Sequence, residues 1–255
     1  MNSNMTRRRL IGSGTGLALA APVAAPLAGL LAGCGDDEDG ASTSTAADAA
    51  VAEKAPSTGD EALERLLAGN ERFVTDRELH EGRDTVRLAE LAEGQAPYAV
   101  ILGCADSRVP PELLFDTGLG ELFVVRIAGN TAVDPLVVGS VEYSVEHLGS
   151  VLVMVLGHQS CGAVKGAVAV ATEGASEPGS IGDFIAPIVP VVEEVSESEP
   201  DLSEDQLVEK SVQANVKAAV EELETADLIA ELVESGELMI VGAEYELDSG
   251  KVVLL

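Results

Sequence analysis

Beyond residue 60 the apolar residues follow two patterns, recurring three or four apart in some stretches and clustering into short unbroken blocks in others. Leu63, Leu66, Leu67, Phe73 and Val74 recur near the helical period behind the acidic pair Asp60 and Glu61, which predicts a helix. A second, shorter helix is expected over residues 86–92. Four blocks are continuous: 97–103 (P-Y-A-V-I-L-G), 122–127, 151–156 and 238–243. Such runs suit strands buried on both faces. A helical stretch at 135–147 and a helix-rich, acid-rich region at 181–235 lie between them. The alternation predicts an α/β fold, a mostly parallel central sheet flanked by helices. Residues 245–255, with a turn at Asp248, Ser249 and Gly250, predict an antiparallel edge strand.

Residues 1–59 break this pattern. T-R-R-R-L-I at residues 6–11 opens a small, apolar stretch that holds no acid up to Gly33, as in an export signal. The arginine pair before the apolar segment resembles a twin-arginine signal. The stretch ends in Leu31, Ala32, Gly33 and Cys34, which resembles a lipobox cleaved before a lipidated cysteine. An uncleaved membrane anchor is the other reading, weakened by Pro22 and Pro26. Residues 34–59 then read as the lipidated Cys34 and a disordered Asp/Ser/Thr/Ala linker. The expected division is thus 1–33 signal, 34–59 tether and 60–255 folded domain, placing the protein outside the cell on the membrane.

Composition narrows the range of partners. With 44 acidic residues against 15 basic ones the net charge is −29, and phosphate binding needs clustered Lys and Arg. Nucleic acid is therefore excluded as a partner. Acids spread through patterned helices, with lysine at only five positions, suggest a halophilic type of surface. An ordinary acidic secreted protein is the plainer reading. A halophilic surface implies stability that increases from low to molar KCl.

The chemistry gathers where two of the apolar blocks end. The first runs into Cys104, Asp106 and Arg108, and the third into His158 and Cys161. In open α/β sheets ligand chemistry lies beyond the carboxyl ends of the strands. Two Cys and one His suit zinc, and three protein ligands leave a fourth position open. Two other readings of the same residues are buried cysteines beside a satisfied histidine, and a Cys104–Cys161 disulfide formed in an oxidising compartment. His80 and His147 lack ligand spacing and read as structural or solvent-exposed.

The blocks C-A-D-S-R at 104–108, V-V-R-I-A-G-N at 124–130 and G-H-Q-S-C-G-A at 157–163 resemble the signatures of β-carbonic anhydrases. The likeness extends to V-P-P-E-L-L-F-D at 109–116, E-Y-S-V-E-H-L at 142–148 and V-G-A-E-Y-E-L-D-S-G at 241–250, and so over nearly all of residues 60–255. It implies reversible hydration of CO2 to bicarbonate and a proton by a zinc-bound hydroxide. One Zn2+ per chain would be held by Cys104, His158 and Cys161, in a homodimer or a larger assembly built from dimers. It further implies a dyad in which Arg108 holds Asp106 and Asp106 orients the reacting water. Gln95 matches a position that hydrogen-bonds bicarbonate, while Phe123 and Tyr143 match positions lining the CO2 pocket. Ile127 stands where many relatives carry Asn. Hydrolysis of CS2 or COS on the same fold, and an inactive zinc-stabilised surface module, are the competing functions.

Overall fold

The computed structural model describes residues 54–255, which belong to one compact unit, Ala52–Leu255. The expected signal, Cys34 and most of the tether lie outside the described residues.

Five strands form one sheet: β1 (Ala99–Gly103), β2 (Leu122–Arg126), β3 (Leu152–His158), β4 (Met239–Tyr245) and β5 (Val252–Leu254). Their order across the sheet is β2-β1-β3-β4-β5. The first four are parallel, and β5 joins β4 antiparallel with Tyr245 opposite Val252. The continuous apolar blocks correspond to this arrangement. Every residue of β1 and β3 is buried, whereas β2, at an edge, is only half-buried.

Helices cover both faces. On one, α1 (Gly59–Val74) packs Ala62 and Leu66 against Ile101, Met154 and Leu156. Its N-terminus is capped by Thr58, whose hydroxyl accepts from the Glu61 N–H. The short α2 (Thr85–Glu90) and α3 (Pro111–Leu114) flank β1 in the chain. On the other face α4 (Pro135–Leu148) lays Val137, Val141 and Val145 over Val100 and Leu102. Asp134 caps α4 ahead of Pro135, and Gly149 closes it in the left-handed conformation.

After β3 come α5 (Gly162–Glu173), α6 (Ile181–Ile185), α7 (Val189–Ser198), α8 (Glu204–Glu224) and α9 (Asp227–Ser235). The longest, α8, starts with a capping box in which Ser203 and Gln206 satisfy each other's backbone N–H groups. It reaches unusually near the sheet because β3 and β4 present glycines beneath it. A Cβ at Gly157 would meet a Val216 methyl at 2.5 Å, and one at Gly242 would meet the other Val216 methyl at 2.8 Å. Both distances are below contact, so an ordinary side chain at either position would force the helix away. A third apolar cluster, built from α5, α7 and α8, extends to the carboxyl end of the sheet and takes in Cys104 and Cys161.

Candidate metal centre

Register brings the two halves of the site together. Gly103, the last residue of β1, pairs with Leu156 of β3, so Cys104 leaves β1 beside the end of β3. His158 is the last residue of β3, and Cys161 caps the N-terminus of α5 three residues later. Cys104 and Cys161 are buried and His158 is fully so. Their potential ligand atoms all lie within 4.8 Å of one another.

The two sulfurs are 4.0 Å apart, about twice the disulfide bond length, and both cysteines are free. Two sulfurs each about 2.3 Å from a tetrahedral ion would sit about 3.8 Å apart, so the observed spacing fits zinc. The imidazole fits as well. Its Nδ1 lies 2.9 Å from the Gln159 carbonyl oxygen, which fixes the proton there and leaves Nε2 as the electron-pair donor. Nε2 is buried without a hydrogen-bond partner, as a metal ligand needs to be.

The surroundings stabilise negative sulfur. Cys104 Sγ accepts the Gly129 N–H at 3.5 Å. Its pKa falls to about 4, chiefly through the Cys161 thiol beside it and against the effect of burial. Without a metal the remaining proton stays on Cys161, whose pKa is raised by the Cys104 sulfur and by burial. The N–H groups of Val164 and Ala163, in the first turn of α5, act on Cys161 in the opposite sense. For His158, burial lowers the pKa but the adjacent Cys104 sulfur outweighs it, and the net shift is upward.

Asp106 and Arg108 form a closed, bidentate pair. Arg108 Nη2 donates to Oδ2 at 2.7 Å, Nε donates to Oδ1 at 2.9 Å, and the Arg108 backbone N–H donates to Oδ1 at 2.9 Å. The Arg108 side chain holds the Asp106 carboxyl well below the usual carboxylate range. Asp106 Oδ2 is 3.9 Å from His158 Nε2, so the carboxylate borders the ligand cluster.

Arg126, a motif residue with no role assigned from the sequence, clamps the segment from Cys104 to Asp106. It donates to the Cys104 carbonyl at 3.0 Å and to the Asp106 carbonyl. Its place at the end of β2, opposite Gly103, was the available signal.

A single chain does not bring Gln95, Phe123 and Tyr143 to this cluster. Gln95 is exposed and precedes β1, whose five residues at about 3.3 Å each put it roughly 16 Å from the far end. Phe123 pairs with Val100, in the first half of β1. Its ring lies 6.3 Å from that of Tyr143, which is half exposed on the outer face of α4 and is met edge-on by His147. Ile127, by contrast, packs with the α4 cluster and donates its N–H to the Gly103 carbonyl.

Comparison with known proteins gives this geometry a context. Residues 99–252 match the family pattern described as carbonic anhydrase. Carbonic anhydrase 2 of Mycobacterium tuberculosis is 42% identical over 194 residues, covering 76% of this chain and 91% of that protein. The carbonic anhydrase of Synechococcus elongatus is 33% identical, over 75% of this chain and 71% of its own length. Among solved structures, a Coccomyxa β-carbonic anhydrase in complex with acetazolamide superposes with a TM-score of 0.61 and 31% identity, over 76% of this chain and 86% of that one. A tetrameric β-carbonic anhydrase from Sordaria macrospora gives 0.62 at 24% identity, over 76% and 96%.

Proposed function

The chain belongs to the β-carbonic anhydrase family, and from that membership and the geometry of the site we propose that it interconverts CO2 and bicarbonate at one zinc ion held by Cys104, His158 and Cys161. The observation that carries the reading is the pairing of a buried Cys-His-Cys donor set with the Asp106–Arg108 dyad at its rim. A purely structural zinc site has no use for the dyad. Zinc, when bound, supplies a Lewis acid that makes water a nucleophile near neutral pH.

The remaining work falls to the chain. The Gly129 N–H and the first turn of α5 favour the thiolate forms of the cysteines. The Nδ1 hydrogen bond to the Gln159 carbonyl keeps the His158 lone pair on Nε2. Arg108 keeps Asp106 ionised, so the carboxylate acts only as an acceptor. It takes the O–H of the attacking water at Oδ2 and thereby turns an oxygen lone pair toward the CO2 carbon. Because Asp106 stays ionised, the proton set free passes to solvent, which reaches the exposed Ala105, Ser107 and Arg108.

A dimer-based assembly accompanies this reading, with Gln95, Phe123 and Tyr143 serving as substrate-binding residues across a subunit boundary. Two observations support it: two large side chains of α4 are exposed, Leu136 at 81% and Tyr143 at 49%, and a structural relative is tetrameric. The signal and lipobox of residues 1–34 support export and a lipid anchor on Cys34. Cell fractionation tests that anchor: Cys34→Ser should release the protein from the membrane, and unchanged membrane association would refute lipidation.

The decisive assay for the reaction compares substrates. Purified, zinc-loaded protein should hydrate CO2 rapidly. Negligible CO2 hydration together with rapid release of sulfide from CS2 would overturn the proposal.

A further inference from the structure

Two loops at the metal centre are tied from behind to a single helix, α8: the loop after β2, whose Gly129 faces Cys104, and the loop between His158 and Cys161; none of the sequence motifs lies on α8 itself. The first tie is Asn215, whose buried amide donates to the Gly129 carbonyl at 2.8 Å. Gly129 is the residue whose N–H donates to Cys104 Sγ, so the bond to its carbonyl holds the peptide immediately after the one that faces the thiolate. The second tie is Glu209, which accepts the Ser160 N–H at 3.0 Å. Ser160 stands between His158 and Cys161 and directly precedes the latter.

These are the places where the backbone most needs holding. Ser160 has φ +55° and Asn130, next to Gly129, has φ +45°, the left-handed region that residues with a side chain seldom adopt. Such a turn persists only where its surroundings over-determine it. Glu209 stands near the buried Glu244, whose pKa is raised chiefly by burial, and Glu244 accepts from Gln213 Nε2 of the same helix at 2.9 Å. Glu244 lies opposite Gly157 in the β3–β4 pairing, so the brace is anchored in the sheet as well.

We propose that α8 braces the metal cradle, with Asn215 and Glu209 as positioning residues that set how tightly Cys104, His158 and Cys161 hold the ion. The inference rests on the zinc assignment above. It extends that assignment to residues 86 positions from Gly129 and 49 from Ser160. Partners behind the ligands of metal sites commonly govern affinity by about 10- to 100-fold.

The test is the zinc dissociation constant of the full chain, measured by competition with a chelator. It would be compared among wild type, Glu209→Ala, Glu209→Gln, Asn215→Asp and Lys217→Ala, the last an exposed control on the same helix. Glu209→Gln keeps an acceptor for the Ser160 N–H, whereas Asn215→Asp removes the donor without changing shape. Glu209→Ala and Asn215→Asp should weaken zinc binding about 10- to 100-fold, with Glu209→Gln and Lys217→Ala at wild-type affinity. Melting of the zinc-free proteins separates a loosened cradle from a weakened fold. If Asn215→Asp does not fold, the Glu209 pair decides, since that side chain is only half-buried. Wild-type affinity in Glu209→Ala, or equal losses in Ala and Gln, would overturn the brace. A wild-type chain that binds no zinc would instead remove the metal assignment, and the brace with it.

Discussion

Asp106 and His158 illustrate how much of this site depends on a single atom's protonation. His158 Nε2 can donate its lone pair because Nδ1 is committed to a carbonyl, and Asp106 can only accept because Arg108 grips both its oxygens. Asp106→Asn keeps the shape but puts an N–H donor where an acceptor is required. It should leave zinc binding intact and lower the CO2 hydration rate about 100- to 1,000-fold, the usual cost of losing one positioned hydrogen-bonding group. Stopped-flow hydration with metal analysis checks this, and unaltered activity would refute the role given to Asp106. The candidate ligands are legible in the sequence because each sits next to a glycine within a short motif, and the dyad because it follows Cys104 within C-A-D-S-R. Asn215 was not legible in the same way. It lies on the buried stripe of α8 that includes Val208, Val212, Val216 and Ala219, where a polar side chain signals a buried partner without saying which.

Among the elements, the strands were readable because a parallel strand covered on both faces leaves an unbroken apolar run, and β1 and β3 are such strands. The antiparallel β5 is also legible in the turn at 248–250. The pattern over residues 181–235 specifies only a helix-rich region, and the structure resolves it into α6 to α9. How closely α8 approaches the sheet was hidden, because Gly157 reads as a motif glycine and not as a helix seat. Gly157→Ala should push the new methyl into Val216 and cost about 1–3 kcal/mol of stability. Denaturant unfolding measures that cost; a variant as stable as wild type would show that α8 yields without strain. Gln95, Phe123 and Tyr143 match substrate-site positions by resemblance, and a single chain sets them apart from the ligands. Strand direction puts Gln95 at the opposite end of β1, and sequence resemblance does not say which copy a residue serves.

At the scale of the whole molecule, charge is unevenly distributed. All seven arginines of the described residues lie between Arg65 and Arg126, and beyond that point the only bases are Lys165, Lys210, Lys217 and Lys251. Several arginines make specific bonds: Arg72 and Arg83 to the buried Asp116, Arg108 to Asp106, and Arg126 to the backbone of the cradle. Helices α7 to α9 are consequently strongly acidic and unsuited to an anionic partner. The outward apolar residues of α4 stand apart from that surface. Leu136→Asp should leave the fold of the chain intact and shift light scattering from an assembly to a monomer, while an undiminished mass would place the interface elsewhere. The central claim, that hydration of CO2 takes place at one zinc held by Cys104, His158 and Cys161, is tested most directly by titrating zinc into metal-free protein while following CO2 hydration. Activity should rise in proportion to bound zinc and level off at one ion per chain. Full activity in the metal-free protein, or zinc binding at that ratio with no hydration, would contradict it.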